Sequence, residues 1–136
     1  MSTRSAYFLS LALLFSVNRY CYAQSMNAPD SPCRESTVTS ELSQCLDNAL
    51  TTANKKLNGT YSKVINALPP EDAKILVKAQ QYWIQLRDAT CKAEYNLYGG
   101  GSGGPPTRLA CLEAETRSRD ASLQRSFGWL IKKLRK

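Results

Sequence analysis

The chain has 136 residues, with 18 Lys+Arg, 11 Asp+Glu and no His, so its formal net charge is +7. That length fits one domain, and the apolar and charged fractions are those of an ordinary globular protein. Without His there is no Ser-His-Asp or Cys-His triad, no His-ligated zinc and no imidazole switch.

Residues 1–23 have the form of a secretory signal peptide. Arg4 supplies the positive start, and an apolar run from Ala6 to Val17 follows. The run is too short to span a bilayer, which needs roughly 20 residues, so an uncleaved anchor fits less well. Cys21-Tyr22-Ala23 puts small residues at −3 and −1 of a cut before Gln24. Asn18-Arg19-Tyr20 is too polar and bulky for a lipobox around Cys21. The expected mature chain is one domain over 24–136, periplasmic or secreted. Loss of Arg4 and Arg19 leaves it at net +5.

Cys21 would leave with the leader, which keeps Cys33, Cys45, Cys91 and Cys111. An even count in a small exported domain implies two disulfides, and four cysteines allow three pairings. No C-x-x-C pair is present, so zinc and thioredoxin-like chemistry have no support.

Three stretches carry helical periodicity. From Thr39 to Leu68 the apolar positions are Leu42, Leu46, Ala49, Ala53, Leu57, Tyr61, Val64, Ile65 and Leu68, spaced by threes and fours. Thr39 or Ser40 is placed to cap this helix, and Pro69-Pro70 ends it. The second stretch opens at Pro70 with Glu71 and Asp72, as a helix N-terminus favours. Its apolar positions are Ile75, Leu76, Ala79, Trp83, Leu86 and Leu97. Gly99-Gly100-Gly101-Ser102-Gly103-Gly104-Pro105-Pro106 stops it and reads as a flexible loop. No Gly-Lys-Ser/Thr follows, so the loop is not a phosphate cradle. The third stretch starts near Thr107 as cap and runs through Leu109, Leu112, Thr116, Leu123, Phe127, Leu130 and Leu134. No segment alternates as a strand does.

The expected fold is all-α: an antiparallel helical hairpin with a third helix, stapled by two disulfides. A hairpin turn at 68–71 collects all four cysteines at the opposite end of the bundle, which leaves the pairing open.

Leu76, Gln80, Trp83, Arg87 and Cys91 share one face of the second helix. Gln and Arg on such a face serve either an internal ion pair or a patch presented to a partner. The full pattern is Leu57-Asn58-x-x-Tyr61, then Ala79-Gln80-x-x-Trp83-Ile84-x-x-Arg87-Asp88-x-x-Cys91, then Cys111 and Thr116-x-x-Arg119-x-x-x-Leu123. With Cys33 and Cys45 upstream, this ordered set resembles the LprI-like family of bacterial exported proteins, described as lysozyme inhibitors. The resemblance covers residues 33–123. It departs from the family at Asn54, often acidic there, and in the long Gly-rich loop. The basic end after Leu123 lies outside the pattern. The resemblance implies a disulfide-bonded helical domain that binds, and inhibits, a lysozyme or another peptidoglycan hydrolase. Asn58, Tyr61, Gln80, Trp83, Arg87, Asp88 and Arg119 carry the motif and are expected to hold the helices together more than to touch a partner.

Lysozyme clefts work with two carboxylates, so an inhibitor can insert a cation. Arg87, Lys92 and Arg108, near the Gly-rich loop, are the candidates. The net +5 opposes long-range attraction to a basic lysozyme, and Asp88, Glu94, Glu113 and Glu115 offer a local acidic patch. As acid pairs, Asp88 with Glu94 or Glu113 with Glu115 have no catalytic spacing and read as solvated carboxylates. No cofactor pattern is present, and no enzymatic activity is expected.

The C-terminal end interleaves Phe127, Trp129, Leu130, Ile131 and Leu134 with Arg125, Lys132, Lys133, Arg135 and Lys136. Residues 125–136 are either the end of the third helix or a surface for anionic membrane or glycan. Export makes nucleic acid a poor partner. Asn58-Gly59-Thr60 is formally a glycosylation sequon, but Asn58 is better placed to bond across to the second helix, near Gln80 or Arg87.

Overall fold

A computed structural model describes residues 25–133. The expected leader, residues 1–23, lies outside them, as do Leu134, Arg135 and Lys136 of the basic end. Three long helices follow a short 3-10 turn at Ser25–Asn27: α1 (Thr39–Ala67), α2 (Pro70–Asn96) and α3 (Gly104–Lys133). The all-α expectation holds.

α1 and α2 form the antiparallel hairpin, but they touch little beyond their turn. α3 packs along both and holds them together. One apolar cluster fills the hairpin end, where Leu57, Val64, Leu76 and Leu123 are buried and Tyr61, Trp83, Phe127 and Ile131 pack around them. At the other end Cys33, Leu46 and Ala110 form a second cluster, and Cys91, Cys111 and Leu112 a third. The disulfides are Cys33–Cys45 and Cys91–Cys111. The first ties the N-terminal segment to α1, and the second ties α2 to α3.

Helix ends depart from expectation in two places. Val38 precedes α1 without a side-chain cap, so Thr39 and Ser40 lie inside the first turn instead of capping it. α3 begins at Gly104, ahead of Thr107. Pro105 and Pro106 occupy its first turn, where a missing N–H costs nothing. Thr107 is buried, and its hydroxyl donates to the Met26 sulfur at 3.6 Å.

The Gly-rich run is a set of hydrogen-bonded turns, not an open loop. Gly101 N–H donates to the Tyr98 carbonyl and Gly104 N–H to that of Gly101. Gly99 and Gly100 sit at φ 54° and 85°, where a side chain is strained. A Cβ on Gly103 would lie 2.5 Å from the Tyr98 ring, so the chain folds back on its own aromatics.

The buried face of α2 runs through Leu76, Gln80 and Cys91. Ile75, Leu86 and Leu97, expected in the core stripe, are exposed. Both stripes have helical period, and the one that faces α3 was chosen by polar partners described below.

Gly59 lies inside α1, and a Cβ there meets nothing within 4 Å. Gly59→Ala therefore gains helix propensity without a clash and should stabilise the fold by about 1 kcal/mol. That corresponds to a rise of roughly 4–8 °C in the thermal midpoint, measurable by circular dichroism.

Candidate functional site

The motif residues Gln80, Trp83, Arg87, Asp88 and Arg119 meet on the seam between α2 and α3, while Tyr61 packs from α1 on the hairpin-end cluster. Arg119 on α3 donates from Nε to the Gln80 side-chain oxygen at 3.0 Å. The Arg87 guanidinium reaches the Thr116 hydroxyl at 3.3 Å and pairs with Asp88 at 2.8 Å. Trp83 lies between the two arginines: the Arg87 carbon is 5.0 Å from its ring centre and that of Arg119 5.8 Å. Gln80 and Thr116 are buried, and Trp83 and Arg87 are half-buried. Burial pulls the Arg119 guanidinium below its ordinary range, and Tyr61 of α1 works in the opposite sense. Polar residues are tolerated on this core face because each finds a partner across the seam.

Asn58 does not join them. It is exposed, and the partners of Gln80 and Arg87 are Arg119, Asp88 and Thr116. The Leu57 and Tyr61 that flank it in the motif face the core, and Asn58 is turned from it by the helical twist. Among the cations considered for an enzyme cleft, Arg87 is committed to the seam, with only 16 % of its side chain exposed. Lys92 lies over the Tyr95 ring at 4.4 Å, while Arg108 is exposed.

The expected acidic patch splits. Glu113 is buried and pairs with Arg117 at 3.0 Å, so it is not a solvated carboxylate, and Glu115 is exposed. Arg117 also grips Asp30 at 2.6 Å, which pins the N-terminal segment onto α3. Asp120 was not among the sequence candidates. It is buried, accepts from Gln124 at 2.8 Å and pairs with Lys56 at 3.5 Å, while its Oδ1 has no partner. Its position two turns after Glu113 was the available signal. Both carboxylates line a groove of about 450 Å³ between α1 and α3, floored by Ala49 and Ala53.

Two other carboxylates, Asp30 and Glu94, give the fold opposing pH dependences. Hydrogen bonding from Arg117, helped by its charge, holds Asp30 below its usual 3.8. Its contribution is present above that value and is lost on acidification. Burial, and then the charge of Glu115, raise Glu94 above its usual 4.5. The folded state then binds the proton more tightly, so stability falls as pH rises past that value. Asp30→Asn should flatten the acid side of a melting-temperature profile, and Glu94→Gln the rise-induced loss. Both effects are small because Asp30 is largely exposed and Glu94 only partly buried.

Two surfaces stand outside the packed interior. The first is the outer face of α2. Ile75, Ala79, Tyr82, Leu86, Ala89 and Ala93 repeat by fours and threes, and all are exposed. Ile75, Tyr82 and Leu86 are 68 %, 62 % and 67 % accessible. The second is a basic groove between α1 and the end of α3. Of the apolar residues at that end, Phe127 and Ile131 pack on the core and Trp129 is exposed. The alternative of membrane contact through 125–136 therefore loses Phe127 and Ile131 from its apolar side chains.

Among the described residues no group of three His, Cys, Asp or Glu is placed to hold a metal, and no helix is long and apolar enough to cross a membrane.

Residues 33–123, from the first disulfide cysteine to the buried Leu123, match the family described as lysozyme inhibitor LprI. The chain belongs to the LprI family. The matched family is described as one of lysozyme inhibitors. An uncharacterised protein of Rhizobium meliloti (strain 1021) is 31 % identical over 109 residues, covering 71 % of this chain and 78 % of that protein. No solved structure matches. Family membership and the two disulfides point to an exported LprI-type protein whose partner is another protein.

Proposed function

We propose that this LprI-family protein binds and inhibits a lysozyme or related peptidoglycan hydrolase, in the periplasm or outside the cell. The observation that carries the reading is the exposed apolar line on α2, from Ile75 through Tyr82 to Leu86. Scattered exposed apolar residues need no explanation, but a continuous line on a rigid helix is the form of a contact surface. Tyr82 has the chemistry of an interface anchor, with a large apolar ring and a polar tip. The Cys91–Cys111 bond and the polar seam fix α2 on α3, so little conformational freedom is lost on binding. The motif residues are the support of this surface: Gln80, Trp83 and Arg87 hold the inner face of the helix that presents it.

The reading is tested with the oxidised protein against lysozymes of several types and a lytic transglycosylase. Lysis should be suppressed near one-to-one stoichiometry for at least one enzyme. Tyr82→Ala with Leu86→Ala should weaken that inhibition about 30-fold, equivalent to about 2 kcal/mol. Because the proposed contact is apolar, inhibition should persist at about 0.5 M salt, where only short-range contacts survive screening. No inhibition across the panel at micromolar protein sinks the reading.

A further inference from the structure

The groove between α1 and the end of α3 is distinct from the α2 surface, and no α2 residue lines it. Its volume is about 750 Å³. Lys55, Lys56 and Lys63 rise from α1, and Arg125 and Lys132 from α3. Among the described residues, Lys56 alone of these five has an ion-pair partner, Asp120. Trp129 stands on the rim, 65 % exposed, on the side of α3 away from the core contacts of Phe127 and Ile131.

Gly59 and Gly128 form part of the lining, one from each helix. Interior helical glycines weaken a helix, and they are normally explained by close packing. Here no packing explains them, since a Cβ on either meets nothing within 4 Å. The two places where α1 and α3 break the local rule face the same open space. Such uncompensated breaks mark sites that serve something other than folding.

We propose that this groove binds an anionic glycan, with the sugar ring seated against Trp129 and its acidic substituents paired with the surrounding cations. An exposed indole gives a flat apolar face for a sugar, and the five basic residues supply complementary charge. The concave shape suits a chain better than a lipid surface. A membrane-lying helix needs several exposed apolar side chains on one face, and here Phe127 and Ile131 are partly buried against the core, leaving Trp129 as the exposed large apolar group at the groove. The disulfides point to an oxidising compartment outside the cytosol, away from the cell's own nucleic acids. The proposal is independent of the inhibitor reading.

The experiment measures binding of the oxidised protein to dextran sulfate and to uncharged dextran, which share a backbone and differ in charge. Phosphatidylglycerol vesicles and a single-stranded DNA oligonucleotide serve as competing polyanions. Dextran sulfate should bind, and dextran should not. Trp129→Ala and Gly128→Leu keep the net charge and should each raise the dissociation constant at least tenfold. Lys63→Gln with Lys132→Gln should do the same, whereas Lys78→Gln with Arg108→Gln, outside the groove, should change it less than twofold. The groove variants should leave lysozyme inhibition unchanged. Thermal melting confirms that each variant is folded, and exposed Trp129 secures the case should Gly128→Leu misfold. Equal weakening by the two charge pairs overturns the proposal, as does wild-type binding by Trp129→Ala. Tighter binding to vesicles or DNA than to dextran sulfate overturns it too.

Discussion

Replacing Cys91 and Cys111 with Ala together should destabilise the protein by about 3 kcal/mol, the loop-closure value for the 20-residue separation they bridge. The loss is expected to be larger than for Cys33 and Cys45, for two reasons. Their separation is shorter, 12 residues, and what they tie down is a terminal segment that Arg117 also holds through Asp30. By contrast, α2 has few contacts with α1 and depends on α3. Both sulfurs of the second bond are buried, so truncation also leaves a void beside Leu112 and Leu50. Denaturant unfolding of the two paired variants measures the difference. Equal losses would show that α2 is held by its seam alone. If α2 is the inhibitory surface, the Cys91/Cys111 variant should also lose inhibition at temperatures where α1 and α3 remain helical.

Trp83→Ala and Tyr82→Ala, one residue apart, should affect different properties, folding stability and inhibition. Trp83 packs on the hairpin-end cluster and lies between Arg87 and Arg119, so its removal takes apolar burial and two cation–π contacts together. A loss of about 3 kcal/mol in folding free energy is expected, at the lower end for a core Trp because the ring is half-buried. Where the variant remains folded, its affinity for the partner enzyme should be close to that of the wild type. Tyr82 is 62 % exposed, and Tyr82→Ala should change folding stability by less than about 0.5 kcal/mol. Its effect should fall on inhibition instead. Unfolding and inhibition measured on the same two preparations separate the roles. Should Tyr82→Ala inhibit as the wild type does, α2 is not the contact surface.

The pairing of these two residues also shows which parts of the site were legible beforehand. The ordered set of Asn58, Tyr61, Gln80, Trp83, Arg87, Asp88 and Arg119 with the four cysteines carried the resemblance to LprI-like proteins, and the place of Gln80, Trp83 and Arg87 on one helical face followed from spacing. What those side chains bond to was not legible. Asn58 sits in the motif but points to solvent, since one residue of helical twist separates it from Leu57 in the core. Glu113 and Asp120 look like ordinary surface acids in a basic chain, and they are buried because Arg117 and Lys56 come back to meet them. The basic groove was visible only as half a pattern. The cations after Leu123 fall within one short stretch of the sequence, whereas Lys55, Lys56 and Lys63 lie more than sixty residues away on α1.

Helix number, helix type and the turn at Pro69-Pro70 came from the sequence by itself, because period and proline act over one or two turns of chain. The cysteine count also set the number of disulfides, and the hairpin brought all four cysteines to one end. Only the tertiary structure decided which cysteines join and which of α2's two stripes is inside. Ile75, Tyr82 and Leu86 are more apolar than Gln80 and Arg87, and hydrophobicity alone favours burying them. The polar stripe is inside because Arg119, Thr116 and Cys111 of α3 stand opposite it with the donors, acceptor and sulfur it needs. Those partners are 20 to 39 residues away in the chain, beyond the reach of any local pattern.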